Sequence, residues 1–320
     1  SSATTYYWRV RGVNDCGVSN WSVTRSFTTA VCLLYTSTNV PITISASGTP
    51  TINSNLPIAD KGTVLDIDVL NLEGTHSWIS DLRFTLVSPQ TTGNTRIIIN
   101  NPCDDEDDFD INLDDFAMLG VLPCPLTTGL TYKPANTLAF FNNQSLKGNW
   151  RMRVQDIFNT DGGSLNAWSI KVCASNFCRL EVQNNNLSGV GSLYEAVNCA
   201  SAGDTIRFAS SINNTTLNLG NQTLAINKNL TFLSAASNNI SITSNSSINP
   251  TISINGSFNV KIIGLKIIGS QYSTTSGIQN QGSLILSNAQ VLKNPSISAS
   301  QVVNNILGGT VNLEGSCRID

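Results

Sequence analysis

"PTISINGSFNVKIIGLKIIGS", residues 250–270, is the stretch from which the fold is read. Apolar residues alternate with others in short runs: Ile252 and Ile254, Val260 and Ile262, Leu265 and Ile267. Asn, Gly and Ser separate the runs. Each run reads as a short strand of apolar-x-apolar form. The same form occurs in "QTLAINKNLTFLSA" (222–235), "NISITS" (239–244) and "SGIQNQGSLILSNAQV" (276–291). A recurrence of about one coil per 20 residues suits a stacked parallel solenoid, whose coils bury their inner faces only against one another.

Outward from that stretch, alternation continues. "TYYWRVRGV" (5–13) and "VLDIDVLNL" (64–72) have the period of half-buried strands, and only "GSLYEAVNCAS" (191–201) looks helical. The class is therefore all-β. The 320 residues suffice for two or three domains. A net charge of −3 gives no basic field for nucleic acid. No apolar run is long enough to span a bilayer. Eight cysteines without a CxxC pair, beside a single histidine, form a disulfide inventory rather than a zinc one. An extracellular or cell-surface location is expected.

Three segments are expected: 1–31, 32–175 and 176–320. In the first, two alternating strands flank the turn "NDCGVSN" (14–20). The pattern "YYWRVRGVN…WSVTRSFTT" resembles the last two strands of a fibronectin type III domain, with Tyr7 in the tyrosine-corner region and Trp8 pointing inward. That resemblance implies further strands before Ser1, because a lone hairpin is marginal in water.

In the second segment, "GTHSWISDLRFTLVSPQTTGNTRIII" (74–99), "YKPANTLAFFNNQSLKGNWRMRVQD" (132–156) and "DGGSLNAWSIKV" (161–172) carry the motifs. They resemble the P, or Homo B, domain of proprotein convertases and bacterial subtilisin-like proteases. A jelly-roll sandwich of about eight strands is implied. The turn "QTTGNT" (90–95) and the enlarged acidic loop depart from the family pattern.

In the third, "VQNNNLSGVGSLYEAVNCASAGDTIRF" (182–208) resembles the start of bacterial right-handed parallel β-helix domains, with Tyr194 in place of the usual Arg. The helical stretch is expected to cap the stack. The end at "EGSCRID" (314–320) has no similar cap, so this domain is expected to be incomplete.

No catalytic residues are expected. A hydrolytic triad needs a base, and His76 is the sole histidine. It stands where the P-domain pattern itself has histidine, and no Gly-x-Ser-x-Gly elbow occurs. Lyases and glycosidases on β-helices need carboxylates. Between Thr205 and Leu313 there is no Asp or Glu, and only Arg207, Lys228, Lys261, Lys266 and Lys293 are charged.

"NPCDDEDDFDINLDDFAMLGVLPCP" (101–125) places eight of the chain's 21 carboxylates between Asp104 and Asp115. Closely spaced hard oxygens suit Ca²⁺, which takes about six to eight of them. Asp108, Asp110, Asp114 and Asp115, completed by Asp81, form the expected calcium set. The alternative is a solvated acidic loop pinned by Cys103 and Cys124. Asp156, Asn159 and Asp161, in "QDIFNTDGG" (155–163), read as turn chemistry.

Cys103 and Cys124 flank one loop and are expected to pair. By the resemblances, Cys178 and Cys199 could staple the β-helix cap, and Cys32 and Cys173 bracket the P domain. Cys16 lies roughly 30 Å of strand from Cys32, beyond disulfide reach. Cys16 and Cys317 are left for partners outside these residues. Connectivity stays open, since eight cysteines admit on the order of a hundred pairings.

The expected function is a structural or adhesive segment of a very large bacterial surface protein. It would belong to a multi-copy fibre, with other copies of the chain and cell-surface glycans or proteins as partners. The alternative is a non-catalytic accessory region of a secreted subtilisin-like protease.

Overall fold

The computed structural model describes residues 5–246, 248–269, 277–293, 302–305 and 307–320. The chain divides into two compact units, Ser1–Phe177 and Cys178–Asp320. Both are built of strands, and among the described residues no helix is long and apolar enough to cross a membrane.

The first unit opens with an antiparallel pair, Thr5–Trp8 and Arg25–Thr28, with Tyr6 opposite Phe27. Their rings stack at 5.4 Å. Arg9 and Arg11 lie 4.5 and 4.6 Å from the Trp21 ring. The inward-pointing Trp8 expected from the sequence is 45% exposed, and Tyr7 is 74% exposed. The hairpin's alternation is present, but no second sheet among the described residues covers its apolar face.

The rest of this unit is a sandwich. One sheet has four strands in the order Thr95–Asn100, Leu82–Val87, Gly148–Asp156, Thr51–Ile58. The other sheet runs Thr131–Tyr132, Phe109–Leu113, Lys61–His76, Gly163–Cys178, Val31–Thr36, and Ile42–Ile44 also joins Gly163–Cys178. Alternate residues fill the space between the sheets. Trp150, Met152 and Val154 point inward from one strand, and Trp168 and Ile170 from another. The two indoles find acceptors inside: Trp150 Nε1 donates to Leu146 O and Trp168 Nε1 to Ser54 Oγ, each at 2.8 Å. Gly74 is required by close packing, because a Cβ there would lie 2.2 Å from both the Phe109 ring and Ser164 O. Cys32 and Cys173 face each other on paired strands and are bonded.

The second unit is a three-sided solenoid. Its parallel sheets contain six, five and four strands. Each side stacks like on like. Ile206, Phe232, Ile262 and Leu286 form one inner row, and Leu217, Ile242, Ile267 and Val291 another. The coils are longer than the expected 20 residues. Asn259 pairs with Ser283, 24 residues on, and Leu230 with Val260, 30 residues on. Each coil has three sides, and two of them carry strands of at most three residues, such as Ser241–Thr243 and Ile252–Ile254. Corners repeat as well. Asn214, Asn239, Gly264 and Asn288 all take positive φ, 49–69°, two residues before the strands of one sheet. Asn and Gly tolerate that backbone best, which explains their recurrence between the apolar runs.

The helix Leu193–Cys199 buries Leu193, Ala196 and Val197 in the solenoid core. Ser192 Oγ accepts from Glu195 N at its start. At its end, Lys228 Nζ donates to the carbonyls of Val197, Asn198 and Ala200 at 3.1, 3.2 and 2.9 Å. Those acceptors would otherwise be orphans, and a cation suits the negative end of a helix. Cys178 and Cys199 are bonded.

Candidate functional site

Two strands of the sandwich deliver polar groups into its interior by phase alone. On Gly148–Asp156 the inward row Trp150, Met152, Val154 ends in Asp156, which is fully buried. On Lys61–His76 the row Leu72, Gly74 ends in His76, 1% exposed. The alternation that builds the core thus places the sole imidazole beside a carboxylate, with His76 Nε2 3.4 Å from Asp156 Oδ2. Neither of these atoms makes a well-formed hydrogen bond. Nδ1 lies 2.8 Å from Trp78 O. Trp78 N lies 3.2 Å from the same Nδ1, so the backbone of one residue fixes the ring's orientation.

Asp81 follows Ile79 in a short 3-10 turn and is 5% exposed. Burial raises its carboxyl above the usual range, and the neighbouring charges of Asp156 and Asp161 push the same way. Asp161 also accepts from Ser77 Oγ. Asp156 Oδ1 accepts from Phe158 N, and Asn159 Oδ1 accepts from Gly48 N. Turn chemistry therefore occupies one oxygen of Asp156. The sequence reading missed that its other oxygen faces His76, although the i, i+2 phase from Trp150 carried that signal.

The acidic segment runs beside His76. Asp108 N donates to His76 O, His76 N donates to Asp108 Oδ1, and Ile79 N donates to Glu106 O. Asp114 Oδ1 accepts from Phe116 N at 2.7 Å. Asp115 accepts from the Leu138 and Ala139 amides at 2.8 Å each and from Thr137 Oγ1, capping the turn Leu138–Phe141. Asp110 is exposed and lies beside Gly129. Of the expected calcium set, Asp108, Asp114 and Asp115 thus accept backbone amides, Asp81 is buried and Asp110 is exposed. Among the described residues, no three of them bring carboxylate oxygens within 4.8 Å of one another. The group that does meet that distance, Cys103, Glu106 and Cys124, contains the sulfurs of a disulfide. Those sulfurs are spent on each other and are not thiolate ligands.

Two further buried groups stand out, Asp68, which the sequence reading passed over, and Tyr194, which it noted only as a departure from the usual Arg. Asp68 pairs with Lys171 at 3.0 Å. Burial still raises Asp68, while the pairing raises Lys171. On the solenoid, the Tyr194 hydroxyl is enclosed without a hydrogen-bond partner, and burial pushes its pKa to about 12.

Comparison with known proteins places this geometry. Residues 69–172 match the family model of the proprotein convertase P-domain. The match covers His76, Asp81, Asp156, Asp161 and the whole acidic loop, so the P domain is present in this chain. No match is found among curated proteins. Among solved structures, a serine protease of Aeromonas sobria is similar at 14% identity and a TM-score of 0.29, over 52% of this chain and 36% of that one. The same protease in complex with the chaperone ORF2 gives 16% identity and a TM-score of 0.28, over 45% and 27%. The chain spans about a third of the protease's length.

Proposed function

We propose that this chain is a non-catalytic structural segment of a secreted protein, serving attachment. The observation that carries the reading is the enclosure of His76. Its side chain and that of Asp156 have no solvent exposure, so the chain's one imidazole is a core strut with no access to substrate. On the solenoid, three of the charged side chains act as ties. Lys228 caps a helix, Lys261 bridges to Glu314 at 2.9 Å, and Lys266 reaches Asn239. Three disulfides fit an oxidising, extracellular setting. In this reading the hairpin is the end of a fibronectin-like module, and copies of the chain assemble so that many weak contacts to surface glycans or proteins add up. The test is to coat beads with the chain and measure adhesion to bacterial cells, alongside turnover of casein and pectin. Adhesion above that of beads coated with an unrelated protein, without turnover, supports the reading; turnover that survives repurification overturns it.

A second reading is favoured by the P-domain match: an accessory region of a secreted subtilisin-like protease. The flanking coding sequence discriminates the two. A Ser-His-Asp domain in the same polypeptide supports the accessory role, and tandem structural modules support attachment.

A further inference from the structure

The loop that follows the acidic segment points its apolar side chains into water. Phe116 is 83% exposed, Met118 fully exposed, Val121 85% and Leu119 43%. Four large apolar residues within six positions of one ordered loop differ from the scattered singles of an ordinary surface. The loop does not owe this exposure to slack. Asp114 Oδ1 holds Phe116 N, Asp114 O holds Ala117 N, and Leu119 O accepts from Lys133 N at 3.0 Å. Asp115 anchors the loop's root to residues 137–139. The apolar tip is therefore preorganised, so little ordering entropy would be lost when a partner covers it.

The charge around the tip decides the partner. The Cys103–Cys124 bond, with Cα atoms 5.5 Å apart, brings the start of the acidic segment to the end of the tip loop. Asp104, Asp105, Asp107 and Asp110 are exposed. Residues 101–132 contain eight carboxylates and no cation, and the exposed Lys133, whose backbone N meets Leu119 O, is one positive charge against them. An anionic lipid surface would be repelled, and so would an acidic protein. We propose that the tip Phe116–Val121 is a docking surface for a cationic, amphipathic protein face, whose apolar residues cover Phe116, Met118 and Val121 while its Lys or Arg side chains meet the carboxylates. The apolar contacts would set the lifetime of the complex, and the charges its rate of encounter and choice of partner.

The experiment uses the full chain and a fluorescent amphipathic lysine–leucine peptide as the probe, with a lysine–serine peptide of equal charge as control. The lysine–leucine peptide is expected to bind saturably and to weaken as salt rises. The Phe116→Ser/Met118→Ser/Val121→Ser variant is expected to bind it about tenfold more weakly, at an unchanged melting temperature, because the three side chains lie in water. Met118→Ser alone should weaken binding in the same direction. Asp104→Asn/Asp105→Asn/Asp107→Asn is expected to flatten the salt dependence. Equal binding of the lysine–serine peptide, wild-type affinity in the triple Ser variant, or no binding overturns the proposal. It is equally overturned if sedimentation shows self-association that the triple Ser variant abolishes, which assigns the surface to a second copy. Tip-dependent binding to phosphatidylcholine vesicles overturns it in favour of a membrane.

Discussion

His76 Nε2 and Asp156 Oδ2 face each other at 3.4 Å inside a mainly apolar core. Removing one partner leaves the other buried without compensation. Asp156→Ala is therefore expected to cost more stability than His76→Phe/Asp156→Leu, which takes out both polar groups together. Chemical denaturation of the three proteins at neutral pH checks the order. Equal losses would show that the pair is not coupled.

Asp81 gives a pH dependence whose sign is fixed by its raised carboxyl. The folded state holds the proton more tightly than the unfolded chain. Between the ordinary aspartate pKa and the raised one, the native state thus binds more protons, and stability falls as pH rises through that window. The penalty is fully present above the window and absent below it. Asp81→Asn is expected to stabilise the sandwich near neutral pH and to make little difference in strong acid. Melting temperatures of the variant and the parent across pH check this.

Asp115 is expected to matter for stability. Asp115→Ala deletes the acceptor for two amides and one hydroxyl at residues 137–139, and a lost cap costs about 1 kcal/mol, up to about 2. The same carboxylate was assigned to calcium from sequence. If the expected set holds calcium, the ion raises the melting temperature of the chain and EDTA reverses the rise; a melting curve that neither changes leaves a solvated loop.

On the solenoid, Lys228→Met removes three hydrogen bonds at the end of Leu193–Cys199. A loss of about 1–2 kcal/mol is expected, read as lower helix protection in hydrogen exchange. Tyr194→Phe runs the other way. It deletes a buried hydroxyl without a partner and should be neutral or stabilising.

How much was legible in the sequence differs between the two units. The solenoid's inner rows were visible because the alternation and its recurrence are local. The coil length was not, because runs as short as Ile252–Ile254 and Lys266–Ile268 look alike and do not say which of them stack on one side. In the sandwich, the motif around His76 and Asp81 located the strands. What each carboxylate does there depends on partners far along the chain. Asp115 meets residues 22 to 24 positions on, and His76 meets Asp156 across two sheets. Composition placed the acidic loop at the surface but did not reveal that its carboxylates hold an apolar tip in place.

The stacked corners at Asn214, Asn239, Gly264 and Asn288 make the solenoid additive. Each coil meets its neighbours through in-register parallel strands, so a duplicated coil offers both neighbours the kind of strand edge they already pair with. Copying residues 259–282, one register repeat, should lengthen the stack by about 4.8 Å, the spacing between hydrogen-bonded strands. Reach can thus be adjusted in small, equal increments by gene duplication, with the cost of each increment confined to one interface.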